Sequence, residues 1–195
     1  MTSTEAERAS NRVVRRVLHD GEYVVNHSLI AGESGPRAVR FDLWRIAKGV
    51  VAEHWADEEQ WADETANGHT QIDGTQAIDG SADTEVTRKV ATATVQTILV
   101  NGDTSALDDH LAGEAYIQHN PRFSDGVSGL VAALTALAEQ GITMKYDGIR
   151  QVVAEGDFAY VRSEGLFGGQ PFVFHDLFRV ADGRCVEHWD VMVPR

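Results

Sequence analysis

Three ionisable side chains lie close together near the C-terminal end of the sequence, in HDLFRVADGRCVEHWD (residues 175–190): Asp176, His188 and Asp190. A β-hairpin would bring them together. A connection through Ala181-Asp182-Gly183, read as a type I turn followed by a left-handed glycine, pairs Val180 with Arg184 and Phe178 with Val186. The same register pairs Asp176 with His188 and Phe174 with Asp190. Alternation then places Phe174, Asp176, Phe178, Val180, Val186, His188 and Asp190 on one face. His175, Leu177, Arg179, Cys185, Glu187 and Trp189 take the other; a two-residue turn would instead set His175 beside Asp190. Carboxylates and an imidazole among phenylalanines are costly to bury unless they pair or do chemistry. Desolvation raises the pKa of such an aspartate and a neighbouring imidazolium lowers it, a balance suited to moving protons. His119, in YIQHNP (116–121), is expected to reach the same cavity. On the opposite face Arg179 and Glu187 form a cross-strand ion pair, and Trp189 calls for a covering surface.

The elements that must position these residues follow from periodicity. Four strands are expected at about 142–153, 158–167, 171–180 and 184–193. Before them the spacing predicts a helix from Thr84 to Asn101, with Val86, Val90, Val95, Ile98 and Leu99 on one broad stripe. A short helix capped by Asp103 or Thr104 runs to Leu111, and another from Gly126 to Gln140 closes at Gly141. Helices followed by a run of antiparallel strands make an α+β fold with the helices on one face of a curved sheet.

The sequence also repeats itself. DLWRIAKGVVAEHWA (42–56) matches DLFRVADGRCVEHWD (176–190) at eight of fifteen positions, at a constant offset of 134. RRVLHDGEYVVNHS (15–28) matches RQVVAEGDFAYVRS (150–163) more weakly, at an offset of 135. A self-match of this kind implies a repeated structural unit. The earlier copy has little sequence ahead of it, no counterpart of His119, and Ala56 where the later copy has Asp190. Residues 1–56 are therefore expected to form a truncated half-repeat made of strands, with hairpins at Asp20-Gly21 and Ala47-Lys48-Gly49. Its strands carry Trp44, Ile46 and Val51 on one side and Phe41 and Leu43 on the other. One side is expected to dock on the outer sheet of the complete domain, and the other needs a cover. Residues 57–83, acidic and rich in Gly and Thr, read as a linker with Trp61 as an anchor, and 84–195 as the complete domain.

A net charge of −13 weighs against nucleic acid and anionic membrane surfaces as partners. The single cysteine, Cys185, fits a reducing compartment, no stretch approaches the length of a membrane span, and MTSTEAERAS is polar and lacks the pattern of a signal peptide. The expectation is a soluble, cytoplasmic protein. His119, His188 and Asp190 follow no known metal-ligand spacing.

YIQHNP followed by a helix and then HDLFRVADGRCVEHWD resembles the SnoaL-like polyketide cyclases of the NTF2-like superfamily, over 84–195 in full and 11–56 in part. The resemblance implies a cone, with three helices packed into the concave side of a bent antiparallel sheet around a pocket. It implies aldol-type cyclisation without cofactor or metal, with Asp190 as the base. Asp176 stands where the family has a second polar pocket residue, often a histidine, and so departs from that pattern. The site expected on this basis has Asp190, His188 and His119 as catalytic residues and Asp176, Tyr116, Phe174 and Phe178 as substrate contacts. Isomerisation and dehydration begin with the same proton abstraction. A pocket that only binds a small hydrophobic ligand, or a scaffold using its sheet faces, are the alternatives. A homodimer or an intrachain pseudo-dimer is expected.

Overall fold

A computed structural model describes residues 11–195; the polar N-terminal segment considered above, 1–10, lies outside them. Strands β1 (Arg12–Asp20), β2 (Tyr23–Gly32), β3 (Gly35–Ala47) and β4 (Val50–Gln60) form an antiparallel meander. Helix α1 (Thr84–Thr94) follows, capped by the Asp83 carboxylate on the amides of Glu85 and Val86, and runs on into a π-helical turn at Val95–Val100. After it come a short helix α2 (Leu107–His110), a two-residue strand β5 (Ile117–Gln118) and helix α3 (Gly126–Glu139). Strands β6 (Met144–Glu155), β7 (Phe158–Phe167), β8 (Gln170–Ala181) and β9 (Arg184–Pro194) complete a second sheet, ordered β5-β9-β8-β7-β6. The expected α+β cone is what the chain forms. The helices cover one face of this second sheet, with Ala91, Val95, Ile98, Leu107 and Leu111 packed on Ala159, Val161, Phe174 and Phe178.

The two sheets share more than strand order. In the first, Asp42 pairs with Ala56, Leu43 with Trp55 and Trp44 with His54; in the second, Asp176 pairs with Asp190, Leu177 with Trp189 and Phe178 with His188. Both hairpins carry an irregularity at the same place, Arg45/Ile46 and Arg179/Val180. The β1–β2 and β6–β7 hairpins also agree, each with a bulge opposite the same step, Val14/Arg16 and Ile149/Gln151. Bulges bend and twist a strand locally, so conserving their positions conserves the curvature.

The last hairpin departs from the three-residue turn read from the sequence. Its connection is the two-residue Asp182-Gly183, both at positive φ, matching Lys48-Gly49 in the first sheet. Such a turn fits the right-handed strand twist. Taken alone it would have turned Asp190 toward His175. The irregularity after Arg179 restores the parity, so Phe178 faces His188, Asp176 faces Asp190, and Phe174 faces Met192. Cys185, expected outside, joins the inner cluster in place of Val186.

The two sheets lie face to face. Leu18, Val25, Val39, Phe41 and Leu43 from the first pack against Val153, Phe158, Tyr160, Leu177, Trp189 and Val191 from the second. Each large apolar side chain buried in such a layer contributes about 1.5–3 kcal/mol. Of the stretch 57–83 read as a linker, 57–60 instead extend β4, and 61–83 lie across this layer as a strap and insert Trp61, Ile72 and Ile78 into it. Arg16, 2% exposed, ties the strap down. Its guanidinium donates to the carbonyls of Ile72, Asp73 and Thr75 and lies 3.9 Å from the Trp189 ring centroid. Burial pulls its pKa down to about 10, which leaves it charged at neutral pH. It also donates to His27 Nδ1, and burial holds His27 well below the ordinary histidine value.

Candidate active site

Inside the cone a cavity of about 50 Å³ lies between the helices and the second sheet, lined by Tyr116, Tyr146, Phe123, Phe178 and Ile98 around a polar floor of Asp176, His188, Asp190 and Gln118. The floor comes from β8 and β9 because the bulged register turns Asp176, His188 and Asp190 to one face. Asp190 is 7% exposed, and both of its oxygens accept from Asn120 Nδ2, at 3.1 and 2.8 Å. Burial raises its pKa and Asp176 adds to the rise, against the opposing effects of His188, Asn120 and Arg122. His188 sits between two oxygens: Nδ1 lies 3.0 Å from Gln118 Oε1 and Nε2 lies 3.1 Å from Asp176 Oδ1. Gln118 Oε1 also accepts from the amides of His119 and Asn120, which fixes the amide as an acceptor toward His188. Tyr146 donates to Asp176 Oδ1 at 3.3 Å, while Asp176 Oδ2 is buried with no partner among the described residues. Burial pushes the hydroxyls of Tyr116 and Tyr146 well above the usual tyrosine range, so both stay neutral.

Of the residues expected to form the site, Asp190, His188, Asp176, Tyr116 and Phe178 line the cavity, and Phe174 packs in the apolar cluster beside it, stacked on Tyr146. His119 does not join them. Its ring turns to the opposite side of the sheet, stacked on Trp189, with Nε2 3.1 Å from Glu187. The reason is alternation across β5: Tyr116, Gln118 and Asn120 point one way and His119 the other. The same alternation could have revealed Gln118 and Asn120, which the sequence reading passed over. Arg179 and Glu187 pair at 2.9 Å as expected, and Trp189 is fully buried at the inter-sheet face.

Glu59 was also missed, because it lies in the stretch read as linker. It extends β4, accepts from the Met192 amide at 3.1 Å and faces Arg122 at 3.5 Å. Burial, with the charge of Asp190, lifts its pKa to about 7. A second, apolar cavity of about 270 Å³ lies under α3, lined by Leu134, Leu137 and Ile142, and shares Ile98, Leu99 and Met144 with the first.

Residues 91–188 match the family model of the SnoaL-like domain. The chain belongs to the SnoaL-like family. Similar solved structures include TsrD from Streptomyces laurentii, 25% identical, with 57% of this chain and 91% of that chain covered and a TM-score of 0.45. An LEH-like epoxide hydrolase from M. tuberculosis is 23% identical, covering 56% of this chain and 84% of that one, with a TM-score of 0.43. IdmH from Streptomyces antibioticus is 20% identical, covering 55% and 91%, with a TM-score of 0.39. No curated protein matches. In this chain the SnoaL-like domain holds the enclosed cavity, and a four-stranded sheet lies against the back of it. No helix among the described residues is long and apolar enough to cross a membrane.

Proposed function

We propose that this SnoaL-like protein is a cofactor-independent acid–base enzyme acting on a small carbonyl compound. Asp190 abstracts a proton next to the carbonyl, and His188, paired with Asp176, stabilises the developing enolate or returns the proton. Aldol cyclisation, isomerisation and dehydration share this first step. The observation that carries the reading is a buried carboxylate of raised pKa on the floor of an apolar cavity, held at both oxygens by one amide and bordered by an imidazole. The 50 Å³ space admits only the reacting end of a substrate, so we assign the apolar remainder to the adjoining cavity under α3. Tyr116 and Phe178 contact the reacting end, with Phe174 behind them. His119 takes no part in this scheme.

In this reading residues 11–60 are a half-copy of the domain that occupies, within one chain, the surface where a second subunit would sit. The protein is then a monomeric pseudo-dimer, and the reducing cytoplasm suits its lone, buried Cys185. Asp190→Asn tests the catalytic claim. With a panel of β-dicarbonyl compounds, lost turnover and retained binding support it; unchanged turnover refutes it. Binding without turnover in the wild-type protein would identify a ligand-binding module instead.

A further inference from the structure

On the far side of the sheet from the cavity, three potential ligands converge where the strap crosses β5. His119 Nδ1 lies 2.8 Å from Asp73 Oδ1, and His69 Nδ1 lies 3.7 Å from Asp73 Oδ2. The ligand atoms of His69, Asp73 and His119 all lie within 4.8 Å of one another. Tetrahedral coordination at metal–ligand distances near 2.0–2.1 Å places ligand atoms roughly 3.3 Å apart, so this spacing needs only small adjustments.

Two further observations favour an ion over a simple histidine–carboxylate contact. The first is the geometry at Asp73. The hydrogen bond of His119 Nδ1 is aimed at the Thr70 carbonyl, 2.9 Å away, so Asp73 Oδ1 is buried beside that nitrogen with no hydrogen bond among the described residues. A cation shared by the two would satisfy that oxygen. The second is what holds the far side of each ring. His119 Nε2 faces Glu187 at 3.1 Å, and His69 Nε2 faces Asp125 at 3.6 Å. A carboxylate behind each imidazole favours a proton on Nε2, so that a metal need displace only the Nδ1 proton that His119 now gives to Thr70. Glu187 suits that role. Its oxygens are held by His119 at 3.1 Å, by Arg179 at 2.9 Å and by the Thr75 amide at 3.1 Å. The strap is fitted closely over this pair, because a Cβ at Gly74 (φ +80°) would come within 2.1 Å of Glu187 Oε1.

We infer that His69, Asp73 and His119 form a binding site for a divalent first-row transition ion, zinc foremost, which staples the strap to the SnoaL-like domain. Two imidazoles and one carboxylate are a donor set of that class, with the fourth position left to water or to the Thr70 carbonyl. The ion lies behind the sheet, so the site stands or falls independently of chemistry at Asp190.

The test uses untagged full-length protein, stripped with chelator, reloaded with Zn²⁺ or Co²⁺ and dialysed. One equivalent per chain is expected by elemental analysis, with the visible absorption of tetrahedral Co²⁺ and a higher Tm in zinc. His69→Ala and Asp73→Asn, at half-exposed positions outside the core, are expected to abolish retention while keeping the metal-free Tm. Asp125→Asn, which spares all three ligands, is expected to weaken zinc about 10–100-fold. A wild-type chain that retains neither ion overturns the proposal. So does metal binding that persists unchanged in both His69→Ala and Asp73→Asn, since the ion would then sit elsewhere.

Discussion

The two sheets of this molecule start from the same hairpin and treat its carboxylate in opposite ways. Asp42 in the first sheet and Asp176 in the second occupy the same place in the register, each with a histidine close by: His54 at 2.8 Å and His188 at 3.1 Å. Asp42 is further neutralised by Arg12 at 3.0 Å and Arg40 at 2.9 Å. Among the described residues no arginine reaches Asp176, and one of its oxygens goes unpartnered. Across the strand, the first sheet has Ala56 and the second has Asp190. Both carboxylates are buried, and the difference lies in what covers them: arginine side chains over Asp42, and helices over the face that carries Asp176. Helices close over the second, so its polar groups are desolvated and can be tuned by one another. Among the described residues nothing of the kind covers the first, and Ile46, Val50 and Val51 remain exposed. One hairpin design yields an arginine-paired ion cluster in the first sheet and the polar floor of a cavity in the second.

Removing the N-terminal sheet should break the comparison most severely. A chain lacking residues 1–60 exposes the face of Leu177, Trp189 and Val191, and is expected to aggregate or dimerise in gel filtration. A monomeric, folded remainder would show that the two sheets do not depend on each other. Trp189 and Trp55, equivalent in register, should differ in weight. Trp189→Ala is expected to cost about 3–5 kcal/mol in denaturant unfolding, and the half-buried Trp55→Ala less than about 2.

Glu59, where the first sheet reaches the second, gives a pH test. Its pKa is about 7 in the folded protein against an ordinary 4.5, so the native state binds its proton more tightly than the unfolded chain. The contribution to stability is greatest below pH 4.5, is lost as pH rises to 7, and stays lost above that. Glu59→Gln should therefore flatten stability across that window and raise it at pH 8, by on the order of 1–3 kcal/mol. The smallest effects should come from the paired aspartates. Asp42→Asn is expected to lower stability by about 1–2 kcal/mol and leave turnover alone. Asp176→Asn should lower turnover about tenfold or more while costing no more stability than Asp42→Asn.

Much of this was legible in the residues. The identities between 42–56 and 176–190 gave the repeat, and Asp103, Gly141 and the valine stripe of 84–100 gave the helices, because caps and periodicity are local signals. The inward set of Asp176, Phe178, His188 and Asp190 also held, though by a different route, since a two-residue turn and an irregularity in the ladder together mimic the parity of a longer turn. What stayed hidden depends on contacts far apart in sequence. Asn120 reaching Asp190, Glu59 extending β4 to Met192, and the strap carrying His69 and Asp73 to His119 leave no trace in local periodicity. His119 was misplaced for a smaller reason: a strand of two residues is too short for its alternation to be noticed.

The most direct measurement is deuterium exchange, followed by NMR in D₂O, at the carbon next to the carbonyl of small β-dicarbonyl compounds that bind the cavity. Three proteins are compared: wild type, Asp190→Asn and Ala56→Asp. Wild type is expected to accelerate exchange, Asp190→Asn to lose about 10²–10⁴-fold of it, and Ala56→Asp to match wild type, because a carboxylate on the open sheet has no cavity to act in. Exchange at the wild-type rate in Asp190→Asn would contradict the assignment of Asp190 as the base, and with it the contrast between the closed sheet and the open one.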